Sequence, residues 1–353
     1  MRDEFRNIFK IASIYIATII GAGFASGQEI IRFFTKYQRG GFAGIMLAGF
    51  LFSIIGYFVM GKVYSSRIKS YDDFLLPSVG WLMGRIMEAV VILFQMSLYC
   101  VMLAGMGSIL SERLNMQYLS GIMLMSLICM LVMFADTKGI VAVSAFTAPI
   151  MIIGMVLIGL YIIFTGSAPA FSVFGWSKTI TDNWFFSSLL YVSYNSITTV
   201  VIMCSLLPYL KTKRTGTIGG ALGGLVLMLI ALILNIILSN TSPQNQNSEM
   251  PLLDIIYMYS NVMGIIYTIV LWMAMFSSAV SSGFCFMERI NNIFNVNRKI
   301  TAIVFCIAGI PLSILGFSKL IGTLYPLFGY LGMFMVIVII IQGFKNLLYE
   351  NRF

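Results

Sequence analysis

Runs of about twenty mostly apolar residues recur along this chain from end to end, and a helix needs a run of that length to cross the hydrocarbon core of a bilayer. Ten are legible, at about 7–36, 41–64, 82–110, 117–135, 139–165, 183–209, 216–239, 258–287, 300–317 and 321–344. Charged residues make up 10% of the 353 and the mean hydropathy is +0.94. A soluble domain carries about 25% charged residues, so a water-soluble globule is excluded. A transmembrane barrel would show alternating segments of about ten residues, and the chain has none. The expected class is an all-α polytopic membrane protein of about ten spans.

The charges set an orientation. With the N-terminus in the cytoplasm and every run crossing once, 16 of the 22 Lys and Arg fall on the cytoplasmic side and 6 on the outer side. That split follows the positive-inside rule, and it places both termini in the cytoplasm. The net charge of +9 is therefore mostly topology, and the scattered clusters do not form the basic face that nucleic-acid binding requires. There is no His, which removes Ser-His-Asp, Cys-His and HExxH chemistry. No Asp lies in mid-span and no carboxylates cluster there, so an enzyme is not expected. The five Cys (Cys100, Cys129, Cys204, Cys285 and Cys306) fall inside apolar runs without a CxxC and read as buried thiols. The first apolar run reads as a membrane anchor rather than a cleaved leader, because many similar runs follow it.

Residues 166–182 form an outer loop near the middle of the chain and divide it into spans 1–5 (residues 1–165) and spans 6–10 (residues 166–353). Five is odd, so the two halves enter the membrane from opposite sides. Inverted repeats with a site between them at mid-membrane are a transporter architecture. A second outer loop, 240–257, opens polar and closes as a short amphipathic helix at 251–259, a lid or a plain connector.

Span 1 contains Gly21-Ala22-Gly23-Phe24-Ala25-Ser26-Gly27, then Gln28-Glu29. Three Gly in seven residues each weaken a helix by roughly 1 kcal/mol relative to Ala. An unwound stretch in a membrane faces protein or a watery cavity, where its freed amides and carbonyls become ligands. Span 6 has the most polar run of the second half, Tyr191, Ser193, Tyr194, Asn195 and Ser196, and a break is expected near 193–196. In span 8, Ser277, Ser278, Ser281 and Ser282 form one stripe of hydroxyls, either an oxygen site for a hard monovalent cation or interhelical hydrogen bonds. Glu29 is the one ionisable residue deep within a span, with Arg32 at i+3 as a possible partner. Arg85 and Glu88 read as an ion pair at an inner rim. Gln95 and Tyr99 share a face of span 3. The glycines Gly216, Gly219, Gly220, Gly223 and Gly224 of span 7 read as a close-packing seam.

The run GAGFASGQEI, with LLYVSYNSI and MFSSAVSSGF further on, resembles the bacterial YkvI-like permease family, allied to the amino acid–polyamine–organocation superfamily. The likeness covers nearly the whole chain. It implies a five-plus-five inverted repeat of the leucine-transporter type with discontinuous spans 1 and 6, in the bacterial cell membrane. Sodium-coupled members of that fold pair carbonyls at the span 1 break with a hydroxyl pair on span 8. This implies a sodium site of the Ala22 and Ala25 carbonyls with Ser277 and Ser278. The Asn those transporters carry at the break is missing, and Glu29 keeps coupling to protons open. No other cofactor is expected.

The leading functional reading is a secondary active transporter for an amino acid or a similar small zwitterion. In that reading the backbone of Gly21, Ala22, Gly23, Ser26 and Gly27 receives the carboxylate. Ser193 and Asn195 hold the amine, and Phe24, Gln95, Tyr99 and Tyr194 line the pocket. A receptor that binds the same ligand without moving it is the alternative. A channel would show symmetry-related pore segments or a charged ring, and neither is present. Partners are then the solute and the lipid bilayer. The sequence gives no oligomeric state.

Overall fold

The computed structural model describes residues 2–134, 137–165, 183–239, 248–294 and 296–350. The loop at 166–182, on which the division into halves rests, and residues 240–247 lie outside them. Helix is the only regular structure among the described residues. Span 1 is built from three pieces, α1 (Arg2–Ile19), α2 (Ala22–Ala25) and α3 (Gln28–Phe33). Spans 2 to 5 are α4 (Arg39–Ser65), α6 (Trp81–Leu114), α7 (Tyr118–Phe134) and α8 (Thr137–Thr165), with the short α5 (Tyr71–Val79) after α4. Spans 6 and 7 are α9 (Trp184–Cys204) and α10 (Lys213–Ser239). The amphipathic segment forms α11 (Pro251–Tyr259), and spans 8 to 10 are α12 (Asn261–Phe294), α13 (Arg298–Ser313) and α14 (Phe317–Glu350). Six of these, α4, α6, α9, α10, α12 and α14, are long and apolar enough to cross a membrane.

Local signals fix the helix ends. Ser70 and Asp73 form a capping box at the start of α5, and the Asn183 side chain accepts the Phe186 amide at the start of α9. Each satisfies an amide that the first turn leaves open. Asn115 adopts φ 51° and closes α6.

The packing follows an exchange rule between the two halves. α4 lies on α10, α6 on α12, α7 on α13 and α1 on α9. α1 also lies on α10 as α9 lies on α4, and α8 on α10 as α14 on α4. These contacts exchange into one another when the two halves swap roles, as an inverted repeat requires. The glycine seam of α10 works on two faces. Gly56 of α4 and Gly220 meet backbone to backbone, and a Cβ added at Gly56 would come within 2.5 Å of the Gly220 carbonyl oxygen. Gly219 and Gly223 receive Ile11 and Tyr15 of α1.

One expectation fails. Span 6 is not interrupted at 193–196, because α9 runs unbroken from Trp184 to Cys204. It contains neither Gly nor Pro, and the side chains of Ser188, Asn195 and Ser196 fold back onto carbonyls one turn earlier. Asn195 Nδ2 donates to the Tyr191 carbonyl (3.0 Å) and Ser196 Oγ to that of Val192 (2.7 Å), a bonding pattern that leaves the helix intact.

Candidate functional site

Span 1 opens twice. After α1 the chain turns at Ile20–Gly21, makes the single turn α2, and turns again at Ser26–Gly27 before α3. Gly27 sits at φ 86°, a left-handed conformation that other residues reach only with strain. Beyond that second turn, Glu29 at the start of α3 folds back over α2. Its carboxyl lies against Gly23, where any Cβ would collide with it. Tyr194 of α9 donates its hydroxyl to Glu29 Oε2 at 2.6 Å. The Phe24 amide and the Tyr191 hydroxyl face the same carboxyl, the latter without a hydrogen bond of good geometry. Four rings gather on Tyr194, those of Phe33 (5.5 Å between centroids), Phe94 (6.1 Å), Tyr191 (5.5 Å) and Tyr325 (4.7 Å).

Glu29 is 2% exposed. Arg32 is not its partner, since its Nη2 donates to the Ser318 carbonyl (3.3 Å) and its guanidinium lies on Gly322 of α14. The titratable side chains that face Glu29 are Tyr191 and Tyr194 of α9 and Tyr325 of α14. The charged residues of α10, Lys213 and Arg214, stand at its first turn, far along the helix from the end that meets α3.

The break is closed over from the end opposite the basic residues. Leu252 N, in the first turn of α11, donates to the Ser26 carbonyl (2.9 Å). Gln28 Nε2 donates to the Ser248 carbonyl, and the Gln28 Oε1 accepts from Ser318 Oγ (3.3 Å). Glu249 Oε2 accepts the Ser318 amide (2.7 Å) in the first turn of α14. Arg113 of α6 pairs with Asp254 of α11. The stretch 248–259 is thus seated on spans 1, 3 and 10 over the break. At the basic end, the rim pair Arg85–Glu88 forms (2.7 Å), and Glu88 also meets Arg289 of α12 (3.7 Å), which stacks on Tyr71 of α5.

The remaining expected residues divide. Gly21, Ala22, Gly23, Phe24, Ser26, Gly27 and Tyr194 surround the break. Ser26 spends its hydroxyl there, donating to the Gly23 carbonyl (3.1 Å). Gln95 is fully buried in α6, with neither amide atom hydrogen-bonded. Tyr99 points the other way, bonding Ser126 of α7 (3.1 Å) and packing on Phe305 of α13 (4.4 Å), so it does not line the break. The i, i+4 spacing from Gln95 misled because span 3 is buried on several faces. Ser193 is buried where Gly332 lets α14 approach its carbonyl, and Asn195 bonds its own helix.

Of the span 8 hydroxyls, that of Ser278 comes to the break. α12 packs on α2, and a Cβ at Gly21 would lie 3.7 Å from Ser278 Oγ. The two carbonyls expected to complete a sodium site already have donors. Ala22 O accepts the Ser26 amide (2.8 Å), and Ala25 O accepts the Tyr267 hydroxyl (2.7 Å). Tyr267, Tyr191 and Tyr325 were missed from sequence. Among them only Tyr191 had a signal, its place one turn before Tyr194. Among the described residues no three His, Cys, Asp or Glu gather as a metal would need, and all five Cys are free.

No family model matches the chain. It is 27% identical over 327 residues to the uncharacterized membrane protein YkvI of Bacillus subtilis, covering 92% of each. It is 24% identical over 332 residues to the uncharacterized protein YyaD of the same organism, covering 93% of this chain and 94% of that one. Its fold is similar to that of a manganese transporter of Eremococcus coleocola (TM-score 0.65, 12% identity, 93% of this chain and 77% of that one). It is similar as well to MhsT solved in complex with L-phenylalanine (0.64, 15%, 92% and 87%) and to a Na+-coupled sialic acid symporter (0.61, 13%, 93% and 76%). The likeness to YkvI-like membrane proteins spans nine-tenths of the chain, and the frame is the leucine-transporter type. Manganese, sialic acid and L-phenylalanine, named with three such frames, show that the frame does not choose the ligand.

Proposed function

We propose that this chain is a secondary active transporter that carries a small ammonium-bearing solute, an amino acid or an amine, across the bacterial cell membrane by alternating access, with both termini cytoplasmic and transport coupled to a cation. The observation that carries the reading is the Glu29 carboxyl in the break of span 1, held at 2.6 Å by Tyr194 and without a basic partner among the described residues. A carboxyl deep in a membrane protein is costly, and its common use is to bind an ion, a proton or a charged ligand. A break at mid-membrane, a lid over one face and ion pairs at the other are the parts that alternating access needs.

Two groups compete for the coupling ion. The Ser277–Ser278 pair with the Ala22 and Ala25 carbonyls would take sodium, but the ion would have to share Ala25 O with the Tyr267 hydroxyl. Glu29 needs no rearrangement to hold a proton, and this favours protons. The test is counterflow of labelled amino acids and amines in proteoliposomes, with choline replacing sodium and with an imposed proton gradient. Expected are uptake unchanged in choline, response to the proton gradient, and loss of that response in Glu29→Gln. Uptake that collapses in choline and survives Glu29→Gln would move coupling to the hydroxyl pair. Ligand-induced stabilisation with no counterflow under any condition would leave a receptor.

A further inference from the structure

We propose that the Glu29 carboxyl is the counter-ion of the transported solute itself, and that this solute is a small monocationic amine lacking a carboxylate. The inference narrows the transporter reading and rests on it.

The first ground is charge. Three charged side chains are buried among the described residues, Glu29, Glu88 and Arg289. Glu88 and Arg289 pair with each other, and Arg32 is turned to the Ser318 carbonyl. Glu29 therefore sits in the low-dielectric centre with no positive charge supplied by a neighbour. A ligand that brings one positive charge makes the site neutral. The carboxyl then holds the coupling proton and the solute in turn, ionised when the solute is bound; a zwitterion against the ionised carboxyl leaves one uncompensated negative charge, and burying such a charge is expensive.

The second ground is occupancy. A substrate carboxylate at the break would meet the protein's own carboxyl, and several donors beside it are engaged. The Phe24 amide faces Glu29. The Ser26 hydroxyl donates to the Gly23 carbonyl, and the Gln28 amide group donates to the Ser248 carbonyl. The Glu29 carboxyl lies on Gly23 itself. The protein's own carboxyl thus stands where the ligand's would go.

The third ground is the wall. Glu29 is bonded to Tyr194, and the rings of Phe33, Phe94, Tyr191 and Tyr325 pack around that tyrosine. Aromatic faces attract an ammonium and offer nothing to a carboxylate. The neutral amide of Gln95, next in sequence to Phe94 and without a hydrogen bond, is free to meet a polar but uncharged end of the solute.

Matched pairs test this. The purified protein is heated with leucine and isoamylamine, phenylalanine and phenethylamine, and serine and ethanolamine, each amine being the amino acid without its carboxyl group. At least one amine should raise the melting temperature by about 4 °C when present a hundredfold above its Kd, and its amino-acid twin should give less than a third of that shift. Glu29→Gln, which keeps the side chain's size, should abolish the shift. Tyr194→Phe, which removes one hydrogen bond from the carboxyl, should weaken amine binding about tenfold and is the variant to read if Glu29→Gln does not fold. An amino acid that stabilises better than its amine twin overturns the inference and leaves the transporter reading standing, as does an amine shift that survives both variants. Stabilisation by no member of any pair overturns the inference and the ammonium reading beneath it.

Discussion

Spans 1 and 6 both carry a polar run at mid-length, and only span 1 opens. In span 1 the polar residues follow three glycines, and Gly27 takes a left-handed conformation. In span 6 the hydroxyl and amide groups have carbonyls one turn back to bond to, and no glycine or proline loosens the backbone. A polar run alone does not open a helix in a membrane protein, because short polar side chains can be satisfied within the helix that carries them. Backbone freedom decides, and the polar groups then use the opening. The result is an asymmetric site. Span 1 contributes the backbone turn and the carboxyl, and span 6 contributes tyrosines from an intact helix.

The largest expected effect tests the open half of that comparison. Gly23→Leu puts a side chain into the volume that the Glu29 carboxyl fills. The carboxyl must leave Tyr194, and ligand-induced stabilisation and uptake should fall to background. Gly332→Leu on α14 is the matching test on the closed half, because its Cβ would run into the Ser193 carbonyl and Ile197 of α9. It should cost about 1–3 kcal/mol of stability through overpacking, measured by denaturation, while binding at saturating ligand persists. Wild-type binding in Gly23→Leu would show that the carboxyl over α2 is not the site.

Tyr267→Phe comes next. It removes the donor to the Ala25 carbonyl, which is buried, and should cost about 1–3 kcal/mol for the unsatisfied acceptor. It also frees the oxygen that a sodium ion would need. If that carbonyl is a sodium ligand in the transport cycle, the variant should gain stability with added sodium more steeply than wild type. A flat response to sodium in both proteins would remove Ala25 from any cation site.

Much of the frame was legible because it rests on periodic and compositional signals. Apolar runs gave the spans, the glycine cluster at 21–27 gave the break, and the spaced glycines of α10 gave the seam against α4 and α1. The inverted repeat followed from an odd number of spans per half. The site was legible only in part. Glu29 stood out as the one deep charge, but its fold-back onto Gly23 depends on the turn at Gly27 and is invisible in a linear reading. Tyr267, Tyr325 and the lid contact from Leu252 to Ser26 join residues far apart in sequence, and nothing local marks them. Tyr99 and Asn195 show the converse error. Each is a polar residue with a local or neighbouring partner, and spacing cannot distinguish that from a ligand group.

The smallest expected effect is the sharpest test of the closed half. Asn195→Ala removes a hydrogen bond to the Tyr191 carbonyl, but that carbonyl still accepts the amide of residue 195 within the helix. No buried acceptor is stranded, so the loss should stay below about 1 kcal/mol, and binding and uptake should match wild type. A strong loss of uptake with unchanged stability would have one physical meaning. Span 6 would then open during the cycle, its amide would turn from Tyr191 to the solute, and the asymmetry between the two spans would belong to this conformation rather than to the mechanism.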